Sequence, residues 1–426
     1  MRIEPAVSIV GHVSVPGDKS ISHRAVLLGA IVEGETTVAG FGRSGDTEAT
    51  LRAVRSLGAE VAEDEVDLVR VQGRGLHGLQ EPGSPIDCGN AGTLLRLLAG
   101  ILAGQEGRFE LTGDESLLGR PVDRVAEPLE RMGAKLETAD GRPPLVIEGR
   151  RLHGVKYELP VASAQVKSCV LLAGLLAEGE TTVVEPFPTR DHTELLLEQA
   201  GAPVRRGPGR VTIASAERLE LERVDVPGDF SAAAPLIVAA TLLPGSQLTV
   251  HGVGINPTRT GLLDVLTRMG ARIAVFNRRR LGREPVGDIE VLSSELTATD
   301  IEPEEVPRLI DELPLFALAA AGARGESRVR GARELREKET DRIETVASSL
   351  RALGGRASAT EDGFRVRGVP ARPKGGRMGS GGDHRIAILG AVAGLVSREG
   401  VEVGGAEAAA ISFPGLFDLL DSVTRR

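Results

Sequence analysis

Basic side chains in this sequence gather where helices begin, a position that does not favour them. The free N–H groups and the dipole at a helix N-terminus already attract negative charge. Cations there are therefore unexpected unless an anion binds beside them. Such a set predicts a site for small phosphorylated or carboxylated substrates. The polar residues at these positions are Lys19, Ser20, Arg24, Asn90, Thr93, Arg120, Ser163, Gln165, Lys167, Arg190, Arg259, Asp311, Glu312, Lys338, Arg342, Asp383, His384 and Arg385.

Each motif taken alone has an ordinary structural interpretation. Residues 17–20 resemble the end of a P-loop, but the glycine spacing is one residue off and Asp18 intrudes. Residues 90–93 alone indicate a turn with an N-cap, and the charged residues 336–342 alone are typical of a solvated face. The charges at 383–385 precede an entirely apolar helix, which favours a functional role. The case for a site therefore depends on the whole set.

An internal repeat positions these residues. The two clearest copies are KSISHRAVLLGAIVEGETTV from Lys19 and QVKSCVLLAGLLAEGETTV from Gln165. Four weaker copies begin at Gly89, Pro227, Ile310 and Gly381, so that successive copies start roughly 70 residues apart. Each copy is an apolar helix leading into a strand, and amphipathic helices ending in Gly lie between the copies. We expect an α/β protein of six units, with a first domain at 18–227 and a second at 1–17 plus 228–426. The cleft between the two domains is the expected ligand site.

Composition excludes several classes of function. The 426-residue chain has a net charge of -9, which makes nucleic acid or an anionic membrane a poor partner. Its two cysteines cannot form a disulfide framework, and the seven histidines show no metal-ligand spacing, so no metal is expected. The sequence has no signal peptide pattern and no apolar run of membrane-spanning length. A cytoplasmic protein is therefore expected.

Ten motifs in one order along nearly the whole chain resemble the 5-enolpyruvylshikimate-3-phosphate (EPSP) synthase family. They are PGDKSISHR, GNAGTLLR, SLLGRPVDR, SAQVKS, RDHTE, VPGDFS, DELP, REKETDR, GGDHRIA and SFPG. The RDHTE form, and Ile411 in place of a lysine before the last Phe-Pro, resemble the second of the family's two classes. The resemblance implies the two-domain, inside-out α/β barrel of the enolpyruvyl transferases, with three βαβαββ units in each domain.

The resemblance also implies a reaction of the shikimate pathway. The enolpyruvyl group of phosphoenolpyruvate is transferred to the 5-hydroxyl of shikimate 3-phosphate, and phosphate is released. These two small molecules would be the partners of a monomer that needs no cofactor. The implied shikimate 3-phosphate site comprises Lys19, Ser20, Arg24, Ser163, Ala164, Gln165, Arg190, Asp311 and Lys338. The implied phosphoenolpyruvate site comprises Lys19, Gly92, Thr93, Arg120, Gln165, Arg342, His384 and Arg385.

The chemistry requires a proton donor near C3 of phosphoenolpyruvate and an acceptor near the 5-hydroxyl. The hypothesis is that Asp311 accepts the hydroxyl proton with help from Lys338, and that Glu339 protonates C3. Lys19 is an alternative carrier for either proton.

Three alternatives differ from this interpretation. The first is the sister enzyme that uses UDP-N-acetylglucosamine, but its loop cysteine is absent from residues 113–117. The second is a non-catalytic anion-binding protein of the same fold. The third is a P-loop kinase, which the broken glycine spacing disfavours.

Overall fold

The chain forms two compact units in the computed structural model, which describes residues 1–426. We call them the N-unit and the C-unit. The N-unit consists of residues 17–226 together with 281–284. The C-unit consists of residues 1–16, 227–280 and 285–426.

The chain has thirteen α-helices, seven in the N-unit and six in the C-unit. Those of the N-unit are α1 (Lys19–Ile31), α2 (Gly45–Ser56), α3 (Gly92–Leu102), α4 (Glu115–Leu118), α5 (Asp123–Arg131), α6 (Ala164–Leu175) and α7 (His192–Gln199). Those of the C-unit are α8 (Phe230–Leu242), α9 (Gly261–Arg268), α10 (Leu313–Ala321), α11 (Arg342–Ala352), α12 (His384–Val396) and α13 (Leu416–Val423).

Twenty-five short strands accompany the helices. The first sixteen are β1 (Arg2–Ile3), β2 (Ser8–Ser14), β3 (Glu35–Ala39), β4 (Glu60–Glu65), β5 (Leu68–Gln72), β6 (Ile86–Asp87), β7 (Gly107–Thr112), β8 (Lys135–Ala139), β9 (Arg142–Gly149), β10 (Leu152–His153), β11 (Lys156–Glu158), β12 (Ala177–Glu178), β13 (Glu180–Val184), β14 (Val204–Gly207), β15 (Arg210–Ala214) and β16 (Arg223–Asp225). The others are β17 (Gln247–Gly254), β18 (Arg272–Leu281), β19 (Glu284–Leu292), β20 (Gly325–Val329), β21 (Arg356–Ala359), β22 (Phe364–Gly368), β23 (Gly376–Gly379), β24 (Val401–Gly404) and β25 (Thr424–Arg425).

One helix in each repeat is buried on nearly all sides. These helices are α1, α3 and α6 in the N-unit and α8, α10 and α12 in the C-unit, and they supply much of each unit's core. Apolar side chains on every face leave such a helix no solvent-facing side. Aspartates cap three of them, since Asp18, Asp229 and Asp383 accept backbone N–H groups of the first turn. The burial predicted from the repeat is confirmed.

The amphipathic helices end as the sequence predicts. Gly58, Gly133 and Gly270 follow α2, α5 and α9 with φ of +94°, +104° and +100°, a conformation that side chains with a Cβ rarely adopt. A strand follows each glycine within two residues.

The sheets repeat one pattern. In the N-unit three four-stranded sheets have the orders β16-β3-β5-β4, β6-β7-β9-β8 and β11-β13-β15-β14. In each, the first pair is parallel and the others are antiparallel. The C-unit has sheets ordered β18-β19-β17-β2-β25, β20-β22-β21 and β1-β24-β23.

Each time the chain passes from one unit to the other, the last strand before the next helix pairs with a strand of the unit that the chain is leaving. Strand β2 precedes α1 in sequence, but it pairs in parallel with β17 of the C-unit. Strand β16 precedes α8, but it pairs in parallel with β3 of the N-unit. The N-terminal strand is thereby part of the C-unit.

Two further features concern the protein's class. None of the helices combines the length and the apolar character that crossing a membrane would require. Cys88 and Cys169 are buried free thiols, and burial raises the pKa of both. They pack as small apolar side chains.

Candidate active site

The first two turns of α1 hold a lysine and an arginine in different environments. Lys19 donates to Asp46 Oδ2 at 2.6 Å, and this ion pair is largely buried. Arg24, one turn further on, donates only to neutral oxygens: Thr193 Oγ1 at 2.7 Å, the Ser20 carbonyl at 2.9 Å and Ser168 Oγ at 3.1 Å.

The Arg24 guanidinium lies in an environment that disfavours its charge. Burial and the neighbouring Arg190 charge lower the pKa of Arg24 to about 10, although Glu194 acts in the opposite direction. The buried Arg24 guanidinium and its half-buried neighbour Arg190 repel one another, so an anion bound between them would stabilise both charges.

The N-terminus of α6 adds polar groups to the N-unit. Ser163 is the N-cap of α6 and accepts from Val166 N at 3.4 Å, and Ala164 is the first helical residue. One turn later Lys167 forms a fully buried ion pair with Glu194 of α7 at 2.8 Å. Because α7 follows directly after Arg190, this pair fixes α6 beside the residues that lead into α7.

A second group in the N-unit forms where α3 and α6 meet. Gln165 Nε2 donates to Thr93 Oγ1 at 2.8 Å, and Arg96 Nη1 donates to Gln165 Oε1 at 3.2 Å and to the Gly92 carbonyl at 3.1 Å. Arg120 Nη2 donates to Asn90 Oδ1 at 2.7 Å.

Gly92 is the tightest point of this group. A Cβ at Gly92 would lie 2.6 Å from Arg96 Nη1 and 3.2 Å from Arg120 Nη1. Only glycine therefore lets both guanidiniums approach the start of α3 without displacement.

In the C-unit three guanidiniums surround one carboxylate. Asp311 lies 3.7 Å from Arg259, 3.7 Å from Arg342 and 3.9 Å from Arg385, measured between side-chain nitrogen and oxygen. The next residue, Glu312, is fully buried and faces Arg259 at 3.5 Å and Arg385 at 3.9 Å.

Arg342 is the centre of a buried network at the start of α11. It binds Asp383 with two nitrogens, Nε at 2.8 Å and Nη2 at 3.0 Å, and it also forms an ion pair with Glu339. Burial alone would lower the pKa of Arg342, but the charges of Glu339 and Asp383 raise it above its usual value. His384 Nδ1 lies 4.0 Å from Glu339 Oε1.

Lys338 is the amine of this group. Burial lowers the pKa of Lys338, and the Arg342 charge acts in the same direction, whereas Glu334, Asp311 and Glu339 oppose it. A lysine with a lowered pKa releases or accepts a proton more readily near neutral pH.

Glu339, Asp383 and His384 could offer ligand atoms to a metal, since these atoms lie within 4.8 Å of one another. Arg342 already neutralises both carboxylates, however. This cluster is therefore better described as the support of an arginine than as a metal site.

The predicted residues thus form two neighbouring groups on helices of the N-unit and one group in the C-unit. The N-unit holds Lys19, Ser20, Arg24, Gly92, Thr93, Arg120, Ser163, Ala164, Gln165 and Arg190. The C-unit holds Asp311, Lys338, Glu339, Arg342, His384 and Arg385.

The sequence did not indicate several partners that orient these residues. Four such partners contact predicted site residues: Asp46, Arg96, Ser168 and Thr193. Each lies either in a different helix from the site residue that it contacts or about one turn after the start of its own motif. Arg96 ends the quoted motif GNAGTLLR, four residues after Gly92, and this helical spacing could have identified it. Nothing in the sequence pairs Asp46 with Lys19.

Comparison with known proteins shows full-length similarity. A profile of the family described as EPSP synthase (3-phosphoshikimate 1-carboxyvinyltransferase) matches residues 3–420. The 3-phosphoshikimate 1-carboxyvinyltransferase of Acidithiobacillus ferrooxidans is 50% identical over 412 residues, covering 97% of this chain and 95% of that protein. That of Geobacter metallireducens is 48% identical over 426 residues, covering 100% and 99%.

Solved structures agree with the sequence comparison. An EPSP synthase from Acinetobacter baumannii superposes with a TM-score of 0.87 at 41% identity, covering 99% of this chain and 97% of that one. The enolpyruvyl transferase NikO from Streptomyces tendae gives a TM-score of 0.78 at 21% identity, covering 99% and 96%. The second likeness concerns the fold alone. Together with the six repeated units, these matches confirm the predicted fold class.

Proposed function

The chain belongs to the EPSP synthase family of 3-phosphoshikimate 1-carboxyvinyltransferases, and we propose which of its side chains bind each substrate and move each proton. The enzyme transfers the enolpyruvyl group of phosphoenolpyruvate to the 5-hydroxyl of shikimate 3-phosphate and releases phosphate. The reaction belongs to the shikimate pathway of aromatic amino acid biosynthesis. The residue assignment rests on one observation: buried Lys and Arg side chains lie beside carboxylates at the N-termini of helices.

The phosphate of shikimate 3-phosphate is assigned to the N-unit. Arg24 and Arg190 repel one another and lower the pKa of Arg24, so a dianion between them would relieve this repulsion. The N-terminal N–H groups of α1 and α6 favour the same charge. The proposed site also includes Lys19, Ser20, Ser163, Ala164 and Gln165, together with Asp311 and Lys338 at the reacting hydroxyl.

Phosphoenolpyruvate is assigned to the remaining guanidiniums. Arg120, Arg342 and Arg385 would bind its carboxylate and phosphate, and Lys19, Gly92, Thr93, Gln165 and His384 would complete its site. Arg342 is held by two hydrogen bonds to Asp383, which leaves its Nη1 free of that carboxylate and directed toward the Asp311 side. Groups fixed in this way stabilise developing charge without reorganising during the reaction.

The proton steps require an acceptor and a donor. We assign Asp311 as the base for the 5-hydroxyl, with Lys338 beside it, and Glu339 as the acid that protonates C3. The oxygen then adds to C2 and gives a tetrahedral intermediate that carries a methyl group. Loss of a methyl proton back to Glu339, with departure of phosphate, restores the double bond. Lys19 is the alternative carrier for either proton.

Because the two substrates must meet, one site has to draw on residues of both units. We propose that residues of both domains take part in the reaction, with domain boundaries at 18–227 for the first and 1–17 plus 228–426 for the second. The enzyme is proposed to act as a monomer in the cytoplasm.

A parallel assay tests the acceptor and the residue assignment together. Phosphate release from phosphoenolpyruvate is measured with shikimate 3-phosphate or UDP-N-acetylglucosamine, in the wild type, Lys338→Met and the surface control Lys156→Met. Lys156 pairs only with exposed Glu158. We expect release with shikimate 3-phosphate alone, lost in Lys338→Met and retained in Lys156→Met. Release with the sugar nucleotide alone would show that the acceptor is wrong, and full activity of Lys338→Met would overturn its role.

A further inference from the structure

Three strands of the five-stranded sheet in the C-unit bring two histidines and an aspartate together, apart from every group assigned to the reaction. His12 lies on β2, His251 on β17 and Asp288 on β19. His12 Nδ1 and His251 Nε2 are 3.2 Å apart, and His251 Nδ1 is 3.1 Å from Asp288 Oδ2. The two histidines are 239 residues apart in the chain, so no spacing motif reveals them.

The two rings bring one nitrogen of each side chain close together. The ring centroids are 5.4 Å apart and the planes differ by 13°, so the rings are nearly parallel. Because Asp288 binds Nδ1 of His251, a neutral His251 has its lone pair on Nε2, facing His12. Two zinc–nitrogen bonds of about 2.0–2.1 Å at a tetrahedral angle place the nitrogens roughly 3.3–3.4 Å apart. The observed separation is within the tolerance expected of a metal site.

The backbone around Asp288 is specialised. The β2–β17–β19 sheet has a bulge between Val250 and Val253, where Gly252 with φ +65° donates its N–H to Asp288 Oδ1 at 2.8 Å. Asn277, one of two non-glycine residues with positive φ (+49°), donates its side-chain amide to Asp288 Oδ2 at 2.9 Å. Such unusual backbone conformations cluster at functional sites because the surrounding structure must maintain them.

These contacts fix the position of the Asp288 carboxylate, because Gly252 donates to its Oδ1, Asn277 donates to its Oδ2 and His251 lies against Oδ2. The one cation near this carboxylate is the half-exposed Arg279, whose Nη1 is 4.0 Å from Asp288 Oδ1. A buried carboxylate that fixes the ring of a solvent-facing histidine is the usual support of a metal-binding imidazole.

We propose that His12 Nδ1 and His251 Nε2 bind a divalent transition-metal ion of the zinc class, with Asp288 as the carboxylate that orients His251. Water would fill the remaining coordination positions, since His12 is exposed and His251 is 41% exposed. The ion would link the N-terminal strand to a strand synthesised much later, and would therefore stabilise the C-unit. The site is independent of the proposed catalytic residues.

Titration calorimetry with ZnCl2 on the EDTA-treated full chain tests the proposal. The variants are His12→Gln, His251→Gln and Asp288→Asn, with exposed His153→Gln as the matched control. We expect one equivalent bound by the wild type and by His153→Gln. Binding should be lost in the first two variants, and the Asp288→Asn affinity should fall about 10- to 100-fold.

Two further measurements keep the result unambiguous. Glu339→Gln should bind zinc as the wild type does, because the Glu339 cluster is a separate group. The unfolding temperature should rise with zinc in the wild type and stay constant in His12→Gln, while in EDTA the two should melt alike. Zinc binding that persists unchanged in both histidine variants would overturn the proposal, and the contact would then be only a hydrogen bond.

Discussion

At the scale of single residues, Asp311 is distinguished by its neighbours. Arg259, Arg342 and Arg385 all lie within 4 Å of its carboxylate. A carboxylate that three cations hold in place is well positioned for the role of general base that we propose for it.

Replacing Asp311 by Asn tests this role. The variant keeps the shape but loses the base, so we expect kcat to fall about 10²- to 10⁴-fold. Steady-state phosphate release measures it, with Asp264→Asn as the control because Asp264 is exposed and pairs with Arg308. Near-normal turnover of Asp311→Asn would remove it from the proton steps.

Gly92 leads to a prediction about inhibition. The family resemblance implies that this glycine borders the phosphoenolpyruvate site, and we expect glyphosate to inhibit competitively with that substrate. In Gly92→Ala the new Cβ would lie 2.6 Å from Nη1 of Arg96 and 3.2 Å from Nη1 of Arg120, so these guanidinium ends must shift. Because the family resemblance implies that an alanine here crowds glyphosate, the inhibition constant for glyphosate should rise by about tenfold or more, and by more than the KM for phosphoenolpyruvate.

Initial-rate inhibition patterns measure this effect. Gly83→Ala is the matched control, because a Cβ at Gly83 would have no neighbour within 4 Å. Purely non-competitive inhibition of the wild type would contradict the assignment of Gly92 to the phosphoenolpyruvate site.

The charged site residues are easier to predict from the sequence than the residues that form hydrogen bonds with them. Lys19 and Arg385 stand out because cations at a helix N-terminus are unusual. Asp46, by contrast, looks like an ordinary residue of the first turn of α2, and only the packing of α2 against α1 brings it to Lys19. Hydrogen-bond partners of this kind depend on tertiary geometry, which no local pattern specifies.

At the scale of elements, helices were predicted well because each one has a simple cause. The six apolar helices follow from the repeat, and four of them, α1, α6, α8 and α12, begin after an Asp or Ser that caps the first turn. The hairpin of β18 and β19 is different. Its tip, Leu281–Glu284, belongs to the N-unit although its strands belong to the C-unit. Nothing in the alternating pattern of these strands indicates where their tip packs.

The hairpin tip makes one buried ion pair. Glu284 Oε1 lies 2.6 Å from Nδ1 of His192, the first residue of α7, and both side chains are buried. Burial alone would lower the pKa of His192, but the charge and hydrogen bond of Glu284 raise it above its usual value. The folded state therefore retains a proton that the unfolded state releases near pH 6.5.

This pair predicts a pH-dependent stability. The contribution is fully present below about pH 6.5 and is lost as pH rises through the folded pKa of His192, at most about 1.4 kcal/mol per pH unit. The free energy of unfolding is measured by urea titration between pH 6 and 9 in the wild type and in Glu284→Gln. We expect the difference between them to shrink as pH rises.

Other groups do not disturb this comparison. The pKa of His23 is lowered by burial, so its contribution changes only below pH 6.5. The two buried thiols titrate alike in both proteins and cancel in the difference. A difference independent of pH would show that His192 carries no charge in the folded state.

At the scale of the whole molecule, the proposed site requires groups from both units. The residues proposed as base and acid belong to the C-unit, whereas Arg24 and Arg190, proposed to bind the phosphate of shikimate 3-phosphate, belong to the N-unit. Binding both substrates should therefore draw the units together. We expect the radius of gyration from small-angle scattering to fall when shikimate 3-phosphate and a phosphoenolpyruvate analogue are both present.

The same scattering data report the mass of the particle, which we expect to be that of one chain. The control is the Arg24→Met variant with the same ligands. This variant should lose both the contact with the phosphate of shikimate 3-phosphate and the decrease in radius of gyration. An unchanged radius with both ligands bound to the wild type would contradict a site shared by the two units.

The exchange of β2 and β16 also sets an order for folding during synthesis. Residues 17–226 leave the ribosome as an almost complete unit, with β16 as its last strand. Strand β2 is made early, yet its partner β17 begins at Gln247, more than 200 residues later. At about 5–20 residues per second, β2 waits roughly 10–50 s without that partner. Strand β1 waits longer still, because its partner β24 begins at Val401. The start of the nascent chain thus stays unpaired while the whole N-unit is synthesised, and in that interval a chaperone could bind it.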